Sequence, residues 1–92
     1  MYGVRPSRIL AAMPVFVLQH QHEPHECAAA FAAWAGFQSP LRRRTVESSC
    51  VTGGHALFWR VQAPDHASAL AQLPRYVAER TTATEIREIR IP

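Results

Sequence analysis

The chain has 92 residues, of which 48% are hydrophobic, so it can form one small globular domain and is unlike a disordered segment. Its net charge is +3, and all of its basic residues other than histidine are arginines. The absence of lysine is typical of a high-GC coding bias, so the arginines do not by themselves indicate a nucleic-acid-binding surface. Two cysteines are too few for a secreted disulfide framework, and no apolar run could span a membrane. We therefore predict a cytoplasmic domain over 13–92, preceded by an N-terminal extension over 1–12, with no nucleic-acid or membrane partner.

The first half of the domain predicts one strand and one helix. The apolar run from Val15 to Gln21 has the length and composition of a central strand. Pro24 suits the first position of a helix, and Gly36 suits its end. The residues of this helix that share a buried stripe are Cys27, Ala30, Phe31 and Trp34.

A hairpin is predicted next, after a solvated loop that carries the run Arg42-Arg43-Arg44. Two strand-like runs, Thr45 to Thr52 and His55 to Gln62, are joined by Gly53-Gly54, which favours a tight two-residue turn. In that register the facing pairs are Thr52 with His55, Cys50 with Leu57, and Ser48 with Trp59.

The last part of the chain predicts a second helix and a final strand. Asp65 suits the N-cap of the helix, and Pro74 interrupts it. The alternation of charged and branched residues from Glu85 to Ile91 is typical of a half-exposed strand.

The element order β-α-β-β-α-β predicts an α+β protein with a ferredoxin-like antiparallel sheet and two helices on one face. In the third strand Leu57, Trp59 and Val61 share one side, while Ala56 and Phe58 share the other. Apolar residues on both sides of this strand favour a homodimer formed through the open face of the sheet.

Histidines at the end of the first strand predict a metal site. His20 and His22 share a strand face with Cα atoms about 6.5 Å apart, so both imidazoles can reach one ion. His25 and Cys27 follow closely, and we expect the start of the second helix at the same edge of the sheet. Imidazole and thiolate ligands suit nickel, copper or zinc, and the sequence implies no organic cofactor. The candidate ligands are His20, His22, His25, Cys27, Asp65 and His66.

Two further ligand-type residues are expected outside this site. We expect the third strand to run parallel to the first, so that His55 lies at the opposite edge, about 17 Å from His20. Within one subunit His55 and Cys50 then cannot complete the site, although they could approach it across a sheet-to-sheet dimer.

The C-terminal half resembles small bacterial ferredoxin-like proteins of the dimeric α/β-barrel type, a group that includes nickel-binding members. The resemblance lies in Ala63-Pro64-Asp65 before a helix with Ala69-Leu70, in Leu73-Pro74, and in the closing run Glu85 to Ile89. It covers about half of the chain, and the His20-Gln21-His22 element departs from it. The resemblance implies a dimer that binds nickel or a similar ion at surface histidines.

Three functions remain open from the sequence, and whether the protein is an enzyme stays undecided. The first is a transition-metal-binding protein for sequestration or sensing. The second is a small α/β-barrel enzyme of the cofactor-free oxygenase type, in which His20 or His55 is the general base. The third is a structural or regulatory dimerisation domain.

Overall fold

The structure is a computed structural model that describes residues 13–92. This part of the chain contains four strands and three short helices. The predicted extension over 1–12 lies outside the described residues. The strands are β1 (Val15–Gln21), β2 (Glu47–Ser48), β3 (Ala56–Gln62) and β4 (Thr81–Ile86). The helices are α1 (Cys27–Ala32), α2 (His66–Leu70) and α3 (Arg75–Ala78), and 3₁₀ turns lie at Pro24–Glu26 and Cys50–Thr52.

The strands form one antiparallel sheet in the order β2-β3-β1-β4, which confirms the predicted α+β class. β1 is central and has the predicted bounds. It pairs with β3 from Val15 opposite Gln62 to Gln21 opposite Ala56, so the two strands run in opposite directions. The end of β1 therefore lies beside the start of β3.

The hydrophobic core lies on one face of this sheet. Phe16 and Leu18 of β1 and Val61 of β3 point toward it and are almost completely buried. Strand alternation explains this, because these side chains occupy every second position. The helical segments cover the face through Ala69, Leu73 and Val77, with Trp34 and Trp59 packed at the margin of the same cluster.

Two predicted strands have different bounds in the structure. The second was expected over 45–52, but β2 contains only Glu47–Ser48. The last was expected from Glu85 to Ile91, but β4 is Thr81–Ile86. Its end is set by its partner, because Ile86 pairs with Val15, the first residue of β1. Beyond that position β1 offers no further strand backbone for a ladder.

The predicted tight hairpin is also wrong, because the link between β2 and β3 is longer than two residues. Ser48 pairs with Leu57 instead of Trp59, and the 3₁₀ turn Cys50–Thr52 occupies positions expected in the strand. Positive φ angles occur at Gly53 (89°) and His55 (54°). The chain thus reverses over a compact loop that places Cys50 and His55 at one end of the sheet.

Candidate metal centre

The end of β1 and the start of β3 contribute one histidine each to the same edge of the sheet. His22 directly follows β1, and His55 directly precedes β3. Because these strands are antiparallel, the two residues are cross-strand neighbours. The backbone N–H of His22 donates to the carbonyl of His55 over 3.1 Å, and their imidazole centroids lie 5.6 Å apart. The sheet itself therefore brings two imidazoles together.

Cys50 adds a thiol to this pair. It is the first residue of the 3₁₀ turn Cys50–Thr52, in the loop between β2 and β3. One donor atom from each of His22, Cys50 and His55 lies within 4.8 Å of the other two. Three nitrogen and sulfur donors at such separations can converge on one transition-metal ion.

Ser49 positions the loop that carries Cys50. Its backbone N–H donates to the carbonyl of Ala56 over 2.9 Å, and its hydroxyl oxygen accepts from the Ala56 N–H over 3.1 Å. The N–H of Gly54 donates to the Ser49 carbonyl, and the Gln21 side-chain amide donates to the Gly54 carbonyl, over 2.7 and 2.8 Å. The loop is thus tied to both central strands, which places Cys50 relative to the histidines.

Cys27, the first residue of α1, supplies a second thiol. Its Sγ lies 3.3 Å from His22 Nε2 and 3.2 Å from His55 Nδ1, so it contacts two members of the group. Both Cys27 and Cys50 are free cysteines. Four side chains from three separate parts of the chain, two thiols and two imidazoles, therefore meet at this edge.

His20 lies behind His22 and determines which nitrogen of His22 faces the thiols. His20 Nδ1 is 3.2 Å from the Val77 carbonyl oxygen, which can only accept, so this nitrogen carries a proton. The neutral ring then has a bare Nε2, to which His22 Nδ1 donates over 2.8 Å. His22 Nε2 is consequently left with a free lone pair directed at Cys27, the form that binds a metal ion.

Burial keeps His20 in this neutral form. Its side chain is 0% exposed, and this desolvation is the main reason that the pKa of His20 is lowered from its ordinary value. The nearby His22 lowers the pKa further, while the hydrogen bond to Val77 opposes both effects. The thiols and His55 are only half-buried, so an ion can reach the group from solvent.

An ion pair holds the start of α1 against α3. Arg80 donates to Glu26 Oε2 through Nη2 and Nε over 3.0 and 3.1 Å, and its guanidinium lies 3.7 Å from the ring centroid of Tyr76. A hydrogen bond from the Glu23 backbone N–H, together with Arg80, lowers the pKa of Glu26 to about 2. The carboxylate thus stays charged at neutral pH and helps to position Cys27, its neighbour in the chain.

The expected exclusion of His55 and Cys50 from this edge is wrong. It assumed a third strand parallel to the first, whereas β3 is antiparallel to β1. In an antiparallel pair the start of one strand lies at the end of the other, so His55 reaches His22 within one subunit. The sequence did contain a signal for this site, because Cys50 and His55 flank the Gly53-Gly54 turn. An antiparallel pairing of the first and third strands would have identified both residues as candidate ligands.

The same strand direction moves Asp65 and His66 away from the site. They follow the end of β3, where Gln62 pairs with Val15 at the start of β1. Their expected place beside His20 is therefore wrong, since the length of the sheet separates the two ends.

Asp65, His66 and His25 have other surroundings. Asp65 accepts a hydrogen bond from the Ser68 backbone N–H over 2.7 Å and so caps α2. His66 is exposed and packs edge-on against Phe16, with ring centroids 4.8 Å apart. His25 lies exposed on the turn Pro24–Glu26. Among the predicted ligands, the structure brings together His22 and Cys27, with His20 behind them.

No protein-family model, curated protein or solved structure matches this chain. Within residues 13–92, no helix has the length and apolar character needed to cross a membrane.

Proposed function

We propose that this protein binds a transition-metal ion, nickel, copper or zinc, for sequestration or sensing. The observation that carries the proposal is the convergence of donor atoms from His22, Cys50 and His55 within 4.8 Å of one another. Imidazole and thiolate are the ligands that these metals prefer, whereas calcium and magnesium prefer oxygen.

The contacts of Cys27 support a role as the fourth ligand. Metal bonds of about 2.1 Å to nitrogen and about 2.3 Å to sulfur, at a tetrahedral angle, separate the two donor atoms by about 3.6 Å. The distances from Cys27 Sγ to His22 and His55 are 3.3 and 3.2 Å, a few tenths of an ångström below this separation. Cys27 is not among the three residues whose donor atoms already lie within 4.8 Å of one another, so a Cys₂His₂ site also requires Cys27 and Cys50 to approach each other.

The number of ligands favours metal storage or sensing over catalysis. Catalytic zinc sites keep one coordination position for water or substrate, whereas sites filled by four side chains are closed. With His22, Cys27, Cys50 and His55 all bound, a tetrahedral ion has no open position.

The alternative in which His20 is a general base has weaker support. Its side chain is 0% exposed, and both ring nitrogens already face partners, Val77 and His22. A general base must come within hydrogen-bond reach of the proton that it removes. This arrangement fits a residue that orients His22 better than one that contacts substrate.

We propose a relationship to ferredoxin-like proteins, and the strand arrangement is the observation that favours it. β3 lies between β2 and β1 and is antiparallel to both, and β1 lies likewise between β3 and β4. We propose that this is a split β-α-β arrangement with a very short second strand. As part of the same proposal, the protein is related to the nickel-binding members of that group, is cytoplasmic and forms a homodimer.

Metal titration of single variants tests the function. We expect calorimetry with nickel, copper and zinc to show near-stoichiometric binding of at least one ion by the unmodified protein. His22→Ala, His55→Ala and Cys50→Ser should each abolish tight binding, because each removes a ligand. His25→Ala and His66→Ala are matched controls, since these exposed histidines lie outside the group.

The ligand chemistry can be read separately with cobalt as a spectroscopic probe. A thiolate-to-cobalt absorption band that weakens in Cys27→Ser and in Cys50→Ser, and disappears in the double variant, would support the Cys₂His₂ set. Affinity that is equal in the site variants and the controls, with all variants folded, would refute the proposal.

A further inference from the structure

A cavity of about 270 Å³ lies between β3, α1 and the chain that follows α1. Its walls contain Trp34, Trp59, Phe31 and Leu57, and its rim contains Arg42, Arg43 and Arg44. We call it the arginine–tryptophan cavity. None of the metal-site side chains is among its lining residues.

The apolar wall of the arginine–tryptophan cavity is aromatic and remains partly open to solvent. The rings of Trp34 and Trp59 have centroids 6.0 Å apart and planes inclined at 46°. Phe31 on α1 was predicted to belong to the buried stripe of this helix, but it is 58% exposed, an unusually large exposure for an aromatic side chain. Flat apolar surfaces of this kind bind aromatic rings by stacking and by edge contacts.

The rim carries positive charge that the protein does not neutralise. Among residues 13–92, none of the ion pairs includes Arg42, Arg43 or Arg44. Residues 1–12 contain no aspartate or glutamate, and no carboxylate lines the cavity. Guanidinium groups bind carboxylates through paired N–H donors, so this rim is complementary to an anion.

The backbone holds these arginines near the apolar wall. Arg42 donates from its backbone N–H to the Ser39 carbonyl over 3.2 Å and from Nη1 to the Phe37 carbonyl over 3.4 Å. Arg43 has a φ of 64°, in the left-handed region, where the chain turns toward β2. The predicted solvated loop is confirmed, since Arg43 and Arg44 are exposed, and the fold places it beside a pair of tryptophans.

We propose that the arginine–tryptophan cavity binds a small, flat, apolar anion such as an aromatic carboxylate. The rings of the ligand contact Trp34 and Trp59, while its anionic group pairs with the arginine rim. The volume of the cavity lies near the lower end of the range for ligand pockets, which starts at about 300 Å³. A ligand of one or two fused rings suits this volume. This binding is independent of the metal site.

The experiment uses β-naphthoate as the probe and β-naphthamide, its neutral analogue of nearly equal shape, as the control. The chain has two tryptophans, so two indole N–H resonances report on the cavity. We expect both resonances to shift and saturate with naphthoate. The amide should bind at least about tenfold more weakly, because it lacks the charge that pairs with arginine.

Variants locate the binding. The double variant Arg43→Asn, Arg44→Gln should reduce naphthoate affinity about tenfold, while Asn keeps the left-handed backbone accessible. Arg60→Gln is the matched control, since Arg60 is exposed on the opposite face of β3 and should leave the affinity unchanged. Equal affinities for naphthoate and naphthamide, equal losses in the Arg60 variant and the double variant, or unshifted indole resonances would each overturn the proposal.

Discussion

At the scale of single residues, His20 is the part of the site most completely enclosed by protein. Both of its ring nitrogens are hydrogen-bonded, one to Val77 and Thr81 and the other to His22. The Thr81 hydroxyl donates to the Val77 carbonyl over 2.6 Å, so its oxygen also accepts from His20. The sequence predicted His20 as a metal ligand, and its contacts instead suit a residue that orients one.

Replacing His20 tests this role. In His20→Leu the Nδ1–H of His22 loses its buried acceptor, and we expect the free energy of unfolding of the metal-free protein to fall by about 2 kcal/mol. Urea unfolding at neutral pH measures this change. His25→Leu is the control, because His25 is exposed, and it should leave the stability nearly unchanged. Equal stabilities of both variants would contradict a structural role for His20.

At the scale of elements, the loop between β2 and β3 depends on the close approach of Gly54 to Ser49. A Cβ at Gly54 would collide with the Ser49 side chain, whereas one at Gly53 would meet no atom within 4 Å. Ser49 is also the residue that ties this loop to Ala56. The position of Cys50 is therefore sensitive to the size of residue 54.

We expect Gly54→Ala to destabilise the protein by about 1–3 kcal/mol, because the added methyl group displaces Ser49. It should also weaken metal binding through the movement of Cys50. Gly53→Asn is the matched variant, since asparagine tolerates the positive φ at that position. Denaturation and metal titration of both variants measure the effects, and a Gly54→Ala protein with unchanged affinity would show that the loop adapts.

The cap of α2 predicts a dependence of stability on pH. The hydrogen bond from the Ser68 N–H lowers the pKa of Asp65 in the folded protein below its ordinary value of 3.8. The unfolded chain therefore binds more protons as the pH falls, so the stabilisation is full above the ordinary pKa of 3.8 and is lost progressively as the pH falls from there through the lower pKa of the folded protein.

Asp65→Asn keeps a capping side chain without the charge. We expect this variant to unfold like the unmodified protein at neutral pH but to lose less stability on acidification below the ordinary carboxyl pKa. Unfolding followed by circular dichroism across this pH range checks the prediction. Parallel pH profiles of the two proteins would exclude Asp65 as a source of acid sensitivity.

At the scale of the whole molecule, a metal ion would join parts of the chain that are distant in sequence. His22 follows β1, Cys27 begins α1, and Cys50 and His55 flank the loop before β3. Because the ion binds only the folded arrangement, binding should add to stability. A free ion concentration of 100 times Kd contributes about 2.7 kcal/mol.

Thermal unfolding with and without the bound ion measures this linkage. We expect the midpoint of the unmodified protein and of His66→Ala to rise by several degrees on metal addition. His55→Ala should show no rise, because the ion has lost a ligand. A rise of the same size in His55→Ala would indicate binding elsewhere on the protein.

The predicted homodimer would form through the open face of the sheet. The sheet face opposite the core carries Val17, Phe58 and Ile86, which are only partly buried in the single chain. We expect sedimentation to show a dimer that Val17→Glu converts to monomer, since a charge on that face opposes its burial. Ala67→Glu, at an exposed position of α2, is the control. A monomeric unmodified protein would disprove the prediction.

The properties that could be predicted from the sequence are those that depend on neighbouring residues. A continuous apolar run defined β1, and the alternation of side chains in a strand placed His20 and His22 on one face, as the structure has them. Local capping chemistry identified Asp65 as the start of α2. These features depend on backbone periodicity and on short-range hydrogen bonds, and both are determined by residues that are close together in the sequence.

The composition of the candidate site was decided by tertiary structure. The antiparallel pairing of β1 with β3 brings His55 to His22 and leaves Asp65 at the other end of the sheet. The direction of that pairing depends on how distant segments pack, and local patterns carry little information about it. Sequence alone therefore determined which side chains could bind a metal, and the fold determined which of them meet, because convergence on one point requires contacts between residues far apart in the chain.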